Sequence, residues 1–443
     1  MDALAAAAVA GATREELEAL PAPRRYTAAY IHANDTGLFN NVQDKDVRKS
    51  LHVGMVPMPE LAPDEALVAV MASSINYNTV WSATFEPVPT FAFLKRFGMQ
   101  DRWAQRHDLP HHVLGSDAAG VIVRTGSGVR RWKAGDHVVV ATAHVDDEEP
   151  ATHADGMLGA EQRAWGFETN FGGLAHYTLV RASQLLPKAP HLTWEEAAAN
   201  PLCAGTAYRM LVSDRGARFK QGDIVLIWGA AGGLGAYASQ FVRNGGGIAV
   251  GIVSSPEKAA RARALGCHVV INREEFGMTG REPADPAVAG RHLGKLIRAA
   301  VGDDPHIVFE HVGQATFGVS VYVARRGGTI VTCGSSTGYQ HTFDNRYLWM
   351  RLKRVIGSHG ANLQEQWEAN RLFSLGRIKP ALSVTYPLSE AAHAARLVQT
   401  NGHTGKVGVL CLAPEEGLGV TDPARRAEIG EDNVTPLRTL ARA

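Results

Sequence analysis

Short apolar runs alternate with amphipathic stretches between about residues 200 and 360. The runs are rich in Val and Ile and bounded by polar or Gly residues, a pattern typical of buried strands. After the first run and a short glycine segment, a helix is predicted over 236–242, and another begins at Pro256, which suits a first helical position. Strands that alternate with helices predict an α/β domain with a doubly wound parallel sheet. The predicted strands are 224–228, 248–253, 268–272, 306–310 and 329–333.

The part of the chain before residue 195 has a different pattern. Apolar runs at 66–72, 120–123 and 137–141 are separated by Gly and Asp turns such as 134–136. This spacing predicts a compact β-rich domain.

The pattern divides the chain into four predicted segments. Residues 1–45 are expected to be an N-terminal extension, 46–195 the β-rich domain and 196–360 the dinucleotide-binding domain. Residues 361–443 are expected to return to the first domain and end in a tail. Residues 274–290, rich in Gly, Pro and charge, are expected to be a surface insertion.

Composition narrows the possible partners. Lys and Arg number 45 and Asp and Glu 44, so the net charge is +1, and no nucleic-acid or membrane-surface partner is indicated. The four cysteines form no metal-type pair and no disulfide framework, which favours a cytoplasmic protein. The apolar run 4–10 follows Asp2 and precedes Glu15, so we interpret it as a short helix and not as an export signal.

The glycine run 229–235, GAAGGLG, lies between a predicted strand and a predicted helix. Glycines at such a turn let the backbone approach a pyrophosphate, and the helix N-terminus supplies N–H groups. We therefore predict that a dinucleotide cofactor binds at Gly229, Gly232, Gly233 and Gly235.

The end of the second strand indicates which nicotinamide binds. An acidic residue usually occupies this place in NAD sites, whereas this chain has Ser254, Ser255 and Lys258. Two hydroxyls and an ammonium suit a 2′-phosphate, which favours NADPH. The alternative is that Ser255 simply caps the helix that starts at Pro256. Helix capping and contact with a 2′-phosphate are compatible.

No metal site is predicted. Zinc dehydrogenases of similar architecture carry a Gly-His-Glu segment where this chain has Ser116 and Asp117, and no cysteine lies nearby. Reduction of an activated double bond therefore fits better than alcohol oxidation, because hydrogen bonds alone can stabilise a thioester enolate.

Several longer runs identify a family. Over residues 46–413 the chain resembles the medium-chain dehydrogenase/reductase superfamily, and within it the crotonyl-CoA carboxylase/reductase family. This resemblance implies a Rossmann domain, a GroES-like β-rich catalytic domain and a homodimer or homotetramer. The matching runs are 73–81 (SSINYNTVW), 165–173 (WGFETNFGG), 344–350 (DNRYLWM), 357–359 (GSH) and 405–419.

The resemblance also implies a reaction. NADPH delivers hydride to C3 of a 2-enoyl-CoA, and the enolate captures the co-substrate CO2 at C2, giving a 2-alkylmalonyl-CoA. The residues of the family's CO2 pocket correspond to Asn78, Phe167, Glu168 and His359. Asn78 would donate to one CO2 oxygen, while Glu168 and His359 would hold a water that donates to the other. Phe167 would exclude water that protonates the enolate.

Each of these residues has a simpler interpretation. Asn78 can brace a turn, Phe167 can be a core residue, and Glu168 can pair with an arginine. His359 can be a hydrogen-bonded structural histidine. Only together, within the family runs, do the four favour the catalytic interpretation.

Three further positions are candidates. The family pattern Gly-Ser-His-Phe-Ala-Asn has Gly360 in place of Phe, which leaves room in the substrate pocket for an acyl chain longer or bulkier than crotonyl. Gly172 is expected beside the CO2 site, presenting a backbone N–H, or else forming a turn. Lys406 is expected to contact the cofactor, or else to be solvated on a surface strand.

Other functions remain open from the sequence. The main alternative is an NADPH enoyl-thioester reductase that does not carboxylate. A quinone-oxidoreductase-like enzyme and a non-catalytic NADPH-binding protein are further alternatives.

Overall fold

The computed structural model describes residues 1–280 and 282–438. The chain forms two compact units, each with its own hydrophobic core. Unit 1 consists of Met1–Leu202, Asn362–Asn370 and Leu382–Val434, and unit 2 of Cys203–Ala361, Arg371–Ala381 and the described end of the chain.

The strands are numbered in chain order. They are β1 (Arg25–His32), β2 (His52–Pro57), β3 (Glu65–Ile75), β4 (His111–Val113), β5 (Ala119–Thr125), β6 (His137–Val140), β7 (Ala143–His144), β8 (Arg163–Ala164), β9 (Tyr177–Arg181), β10 (Leu185–Pro187), β11 (Ile224–Ile227), β12 (Ile248–Val253), β13 (Val269–Asn272), β14 (Ile307–Glu310), β15 (Thr329–Thr332), β16 (Arg354–Gly357), β17 (Leu382–Pro387) and β18 (Lys406–Leu410).

The α-helices follow the same order. They are α1 (Ala3–Val9), α2 (Arg14–Ala19), α3 (Tyr77–Thr84), α4 (Phe91–Gly98), α5 (Trp194–Ala198), α6 (Pro201–Leu211), α7 (Gly233–Asn244), α8 (Pro256–Ala264), α9 (Pro286–Val301), α10 (Gln314–Val323), α11 (Arg346–Trp349), α12 (Leu363–Ser374), α13 (Ala391–Gln399), α14 (Pro423–Ile429) and α15 (Glu431–Val434).

Unit 2 contains a six-stranded parallel sheet in the order β13-β12-β11-β14-β15-β16. The predicted doubly wound sheet is thus confirmed. The strand order reverses at β11, and a ligand of such a sheet binds beyond the carboxyl ends of the strands at this point.

The core of unit 2 includes residues that the sequence pattern had assigned to the surface. Phe276 and Met278 are 1 % and 2 % exposed and belong to the same core cluster as Leu226 and Val308. The prediction that 274–290 is a surface insertion is therefore wrong for these side chains. Composition misled because three buried side chains, with Ala289 as the third, anchor a stretch that is otherwise polar.

Unit 1 is built on a sheet in the order β10-β6-β5-β3-β18-β17, with β9 also pairing with β3. All eleven residues of β3 are buried, so this strand lies at the centre of the unit. A three-stranded sheet, β2-β1-β4, and a two-stranded sheet, β7-β8, complete the β-rich domain that the alternating pattern predicts.

The N-terminal segment is an integral part of unit 1. The predicted helix is present as α1, capped by Asp2, and Tyr177 donates its hydroxyl proton to the Asp2 carboxylate at 2.7 Å. Because β1 is the middle strand of the three-stranded sheet, residues 1–45 do not form a separate extension.

The chain also returns to unit 1 in two steps, since Arg371–Ala381 belongs to unit 2. Across the described ranges, no helix combines the length and apolar character that a membrane crossing requires.

A buried polar network ties β3, β18 and the start of α6 together. The Asp117 carboxylate, fully buried, accepts hydrogen bonds from Ser74 Oγ at 2.6 Å, Asn76 Nδ2 at 2.7 Å and Leu202 N at 2.8 Å. Lys406 Nζ lies 3.0 Å from the same carboxylate, and its side chain is 2 % exposed. A buried charge is tolerated only when it is paired and hydrogen-bonded, so this pair holds Asp117 and its neighbours in place.

Removing the ammonium should destabilise unit 1. The substitution Lys406→Met leaves the buried Asp117 carboxylate without its counter-charge, and we expect a loss of about 3 kcal/mol in the free energy of unfolding. Urea denaturation measures it. The exposed Lys95 provides the matched control, Lys95→Met, which should change stability by less than about 0.5 kcal/mol. Equal losses in the two variants would contradict the account.

Candidate active site

The predicted glycine turn lies in unit 2, between β11 and α7. Gly229 has φ of +58°, and a Cβ at Gly235 would overlap the carbonyl oxygen of Gly229, so the turn requires glycine at both places. Gly232 is the N-cap of α7 and supplies no side-chain acceptor, and Gly233 is the first helical residue. The N–H groups of the first turn are therefore available to an anion. Cofactor contact by these four glycines stays a prediction.

A histidine that sequence reasoning missed supports this turn. His311 follows β14, and its Nε2 lies 2.8 Å from the backbone oxygen of Trp228, the residue that follows β11. Burial lowers the pKa of His311, which favours the neutral ring with Nε2–H as donor. The bond joins the ends of the two strands that flank the reversal of strand order. Its position directly after a predicted strand was the available signal.

Positively charged side chains lie close to one another near the end of β12. Ser255 caps α8 through a hydrogen bond from Lys258 N at 3.3 Å, which confirms the capping interpretation. Burial, together with the like charges of Arg273 and Arg261, lowers the pKa of Lys258 below its ordinary value. Ser254 Oγ makes no hydrogen bond within the described residues. An anion would relieve this repulsion.

Arg273 is a further cation that the sequence interpretation overlooked. It follows β13, the strand that pairs with β12. Its Nε is buried and has no hydrogen-bond partner within the described chain. The guanidinium therefore has donor capacity left for a ligand.

In unit 1, Asn78 lies in the first turn of α3. Its Nδ2 donates to Ser116 Oγ at 2.8 Å, whereas its Oδ1 is buried without a hydrogen-bond partner in the part of the chain that the structure describes. Asn78 thus does more than brace its own turn, because it reaches a segment 38 positions further along the chain.

The loop with Phe167 and Glu168 packs on the same segment. A Cβ at Gly166 would overlap the backbone oxygen of Gly115, so only glycine permits this approach. Ser116, which is hydrogen-bonded to Asn78, directly follows Gly115 in the chain. Unit 1 therefore brings Asn78 and the loop 165–173 against one short segment, residues 114–117.

Within this loop, Glu168 Oε2 accepts a hydrogen bond from Ala164 N at 2.8 Å. The ring of Phe167 lies 6.1 Å from that of Phe93, and Phe167 is half-buried rather than a full core residue. No ion pair between Glu168 and an arginine lies within 4.0 Å in the described residues, but burial lowers the pKa of the Arg163 guanidinium and the Glu168 carboxylate acts electrostatically to raise it. The simpler interpretation of Glu168 therefore stays open beside the catalytic one.

The predicted role of the Gly172 backbone is corrected. Gly172 N donates to Val113 O at 3.0 Å, and Gly173 N donates to Gly115 O at 2.9 Å. Both N–H groups are therefore used within the fold and are not free donors for a substrate. The turn interpretation is the one that the structure supports, and a place for Gly172 in the substrate pocket stays a prediction.

Two buried histidines, also missed, hold this loop from behind. His107 Nδ1 accepts from Asn170 N at 3.0 Å, and His112 Nε2 lies 3.1 Å from Thr169 O. Burial lowers the pKa of His112 to about 3 and that of His107 well below its ordinary value. Both rings are therefore neutral at neutral pH and act as fixed hydrogen-bonding groups.

His359 and Gly360 lie in unit 2, just after β16. His359 is exposed and makes no hydrogen bond to the described residues, so it is not a hydrogen-bonded structural histidine. Gly360 has φ of +49°, a conformation that a Phe side chain would strain. Three of the four predicted CO2 residues thus belong to unit 1 and His359 to unit 2.

Lys406 differs from both expectations. It is neither solvated nor free, because its ammonium pairs with Asp117 and also donates to Ile75 O at 3.2 Å. Its contact with the cofactor stays a prediction, now with a structural role established beside it.

The residues at the zinc position do not fit a metal centre. Ser116 is bonded to Asn78, and Asp117 to Lys406. In the described ranges, no group of three or more His, Cys, Asp or Glu side chains is arranged to hold a metal ion.

Two family models match the chain. The alcohol dehydrogenase GroES-like domain matches residues 62–190, and the zinc-binding dehydrogenase model matches residues 233–374. The first lies in unit 1, and nearly all of the second lies in unit 2. The matches confirm the pairing of a GroES-like domain with a Rossmann domain.

Whole-length relatives are more specific. The chain is 56 % identical to crotonyl-CoA reductase of Streptomyces collinus, over 94 % of each chain. It is 39 % identical to crotonyl-CoA carboxylase/reductase of Cereibacter sphaeroides, over 84 % of this chain and 86 % of the relative. The solved structure of the 2-octenoyl-CoA carboxylase reductase CinF, in complex with NADP and 2-octenoyl-CoA, is 67 % identical with a TM-score of 0.97, over 99 % of each chain. The chain therefore belongs to the crotonyl-CoA carboxylase/reductase family, enoyl-CoA oxidoreductases of the medium-chain dehydrogenase/reductase superfamily.

Proposed function

We propose that this protein catalyses the NADPH-dependent reductive carboxylation of a 2-enoyl-CoA to a 2-alkylmalonyl-CoA, with a preference for acyl chains longer or bulkier than crotonyl. The observation that carries the proposal is the Asn78 amide, bonded to Ser116 at 2.8 Å on the segment against which the Phe167 and Glu168 loop packs. An amide donor beside an aromatic residue is the chemistry that a neutral CO2 molecule requires.

The residues of unit 2 fit the cofactor. The first turn of α7 would hold the pyrophosphate, because its N-cap is a glycine and no side chain caps its N–H groups in the described residues. The glycine turn before it would let the backbone approach. Lys258 and Arg273 would hold the 2′-phosphate, with Ser254 as a hydroxyl donor. Bound NADPH supplies the hydride.

The residues of unit 1 would decide the fate of the enolate after hydride transfer. The enolate either forms a C–C bond with CO2 at C2 or takes a proton from water at the same atom. Asn78 would donate a hydrogen bond to a CO2 oxygen, and Phe167 would keep water from C2. Glu168, fixed by Ala164 N, would hold an ordered water, and the family pattern adds His359 to this set.

A non-carboxylating enoyl-thioester reductase is the second candidate. The relative from Streptomyces collinus is named a crotonyl-CoA reductase, without carboxylase in its name. The two functions differ in whether carbon from bicarbonate enters the product.

Assembly and compartment belong to the same proposal. Superfamily membership supports a homodimer or homotetramer. The four cysteines are free, which fits the reducing cytoplasm. An acyl-CoA is the proposed small-molecule partner.

Removing the Asn78 donor should uncouple reduction from carboxylation. In Asn78→Ala we expect the ratio of carboxylated to simply reduced product to fall about tenfold, because a hydrogen bond to polarised CO2 is lost. The ratio is measured by mass spectrometry of products formed with ¹³C-bicarbonate. The exposed Asn40 gives the control, Asn40→Ala, which should keep the wild-type ratio. An unchanged ratio in Asn78→Ala would count against its CO2 role.

The cationic residues should select NADPH over NADH. In Lys258→Ala we expect the KM for NADPH to rise about tenfold, as for loss of one charge-assisted hydrogen bond, with the KM for NADH unchanged. Steady-state kinetics with both cofactors tests this. Lys295→Ala, at an exposed position on α9, is the control. Equal rises for NADPH and NADH would contradict a 2′-phosphate contact.

Gly360 should affect acyl-chain preference. In Gly360→Phe we expect kcat/KM for 2-octenoyl-CoA relative to crotonyl-CoA to fall about tenfold, because the ring fills space that a longer chain would use. Gly360→Ala has the same unfavourable φ without the ring and should leave this relative preference unchanged. A wild-type preference for crotonyl-CoA, unaffected by the ring, would exclude the idea.

A further inference from the structure

The hydrogen bond between Asn78 and Ser116 leaves groups unsatisfied as it stands. Asn78 Nδ2 donates to Ser116 Oγ at 2.8 Å, and Asn78 Oδ1 is buried with no donor in the described residues. Ser116 is fully buried, and its Oγ has no other hydrogen bond in the described chain. Both the amide oxygen and the hydroxyl proton therefore lack a partner.

A half-turn of the Asn78 amide removes both deficits. A serine hydroxyl donates as well as accepts, and an amide offers an acceptor and two donors of nearly equal size. With oxygen towards Ser116, the hydroxyl donates to Oδ1. The Nδ2 protons then occupy the place where the unsatisfied oxygen was, and they are the groups left for a ligand.

The chemistry of CO2 distinguishes the two orientations. Its oxygens accept hydrogen bonds and it has no proton to donate, so an amide oxygen at the free position could not hydrogen-bond either CO2 oxygen. An amide nitrogen at that position would attract it. Only the orientation with oxygen on Ser116 gives a productive site.

We propose that Ser116 is a positioning residue for carboxylation: its hydroxyl, by donating to Asn78 Oδ1, holds the amide with its nitrogen free for CO2. This inference rests on the proposed function. Ser116 suits the role because its neighbour Asp117 is fixed by Lys406, and Gly115 is fixed by the packing of the loop at Gly166.

The substitution Ser116→Ala tests the role. Without the hydroxyl the amide has no preferred orientation, and we expect the ratio of carboxylated to reduced product to fall about fivefold, the effect of one neutral hydrogen bond. The apparent KM for CO2 should rise. Ser116→Cys, a similar volume with a weak donor, should give an intermediate ratio.

Two further variants separate positioning from structural disturbance. Ser82 is also buried on α3, and its Oγ has no partner in the described chain, so Ser82→Ala should leave the ratio unchanged. If Ser116 acts through Asn78, the double variant Asn78→Ala with Ser116→Ala should match Asn78→Ala alone.

The outcomes are distinguishable. A wild-type enzyme that incorporates no labelled carbon overturns the proposed function and this inference with it. A carboxylating wild type whose ratio survives Ser116→Ala overturns the inference alone, as do equal losses in Ser82→Ala or additive losses in the double variant. The inference is supported if the ratio of carboxylated to reduced product falls in Ser116→Ala, falls less in Ser116→Cys and stays at the wild-type value in Ser82→Ala.

Discussion

The buried ion pair between Asp117 and Lys406 is the constraint on which the unit 1 site depends. The Asp117 carboxylate accepts hydrogen bonds from the side chains of Ser74, near the end of β3, and Asn76, just after it. It also accepts hydrogen bonds from the backbone N–H of Leu202 at the start of α6 and from the Lys406 ammonium on β18. This fixes the residues just before β5. Ser116 then presents its hydroxyl to Asn78, and Gly115 admits the loop of Phe167 and Glu168 through its contact with Gly166.

The same segment shows how a related fold can perform different chemistry. Zinc dehydrogenases of this architecture use the equivalent positions for metal ligands. Here Ser116 and Asp117 are joined to an amide and an ammonium, and the neutral histidines His107 and His112 support the adjacent loop. The result is a rigid set of hydrogen-bonding groups, which suits capture of a weakly polar substrate by a reactive enolate. Unit 2 keeps the general task of binding a dinucleotide.

Local patterns were sufficient for much of the fold. The apolar runs predicted β12 and β18 at their observed bounds, because buried strands require Val- and Ile-rich segments, and the glycine run marked the turn before α7. The family runs pointed to Asn78, Phe167 and Glu168. Long-range contacts could not be predicted in this way. Lys406 is buried only because β18 pairs with β3, and nothing around position 406 signals its carboxylate partner.

Other misses have the same origin. The N–H of Gly172 is used by a strand far away in sequence, and Arg273 joins Lys258 only because β13 pairs with β12. The charges of 274–290 concealed three core side chains. In each case the tertiary partner, which no local window contains, determines the role.

Coupling of hydride transfer to carboxylation is tested by the mass spectrum of the product from a single turnover with deuterated NADPH and ¹³C-labelled CO2. Reductive carboxylation predicts an alkylmalonyl-CoA with deuterium at C3 and ¹³C in the new carboxylate of the same molecule. A product with deuterium at C3 and no labelled carboxylate would contradict it.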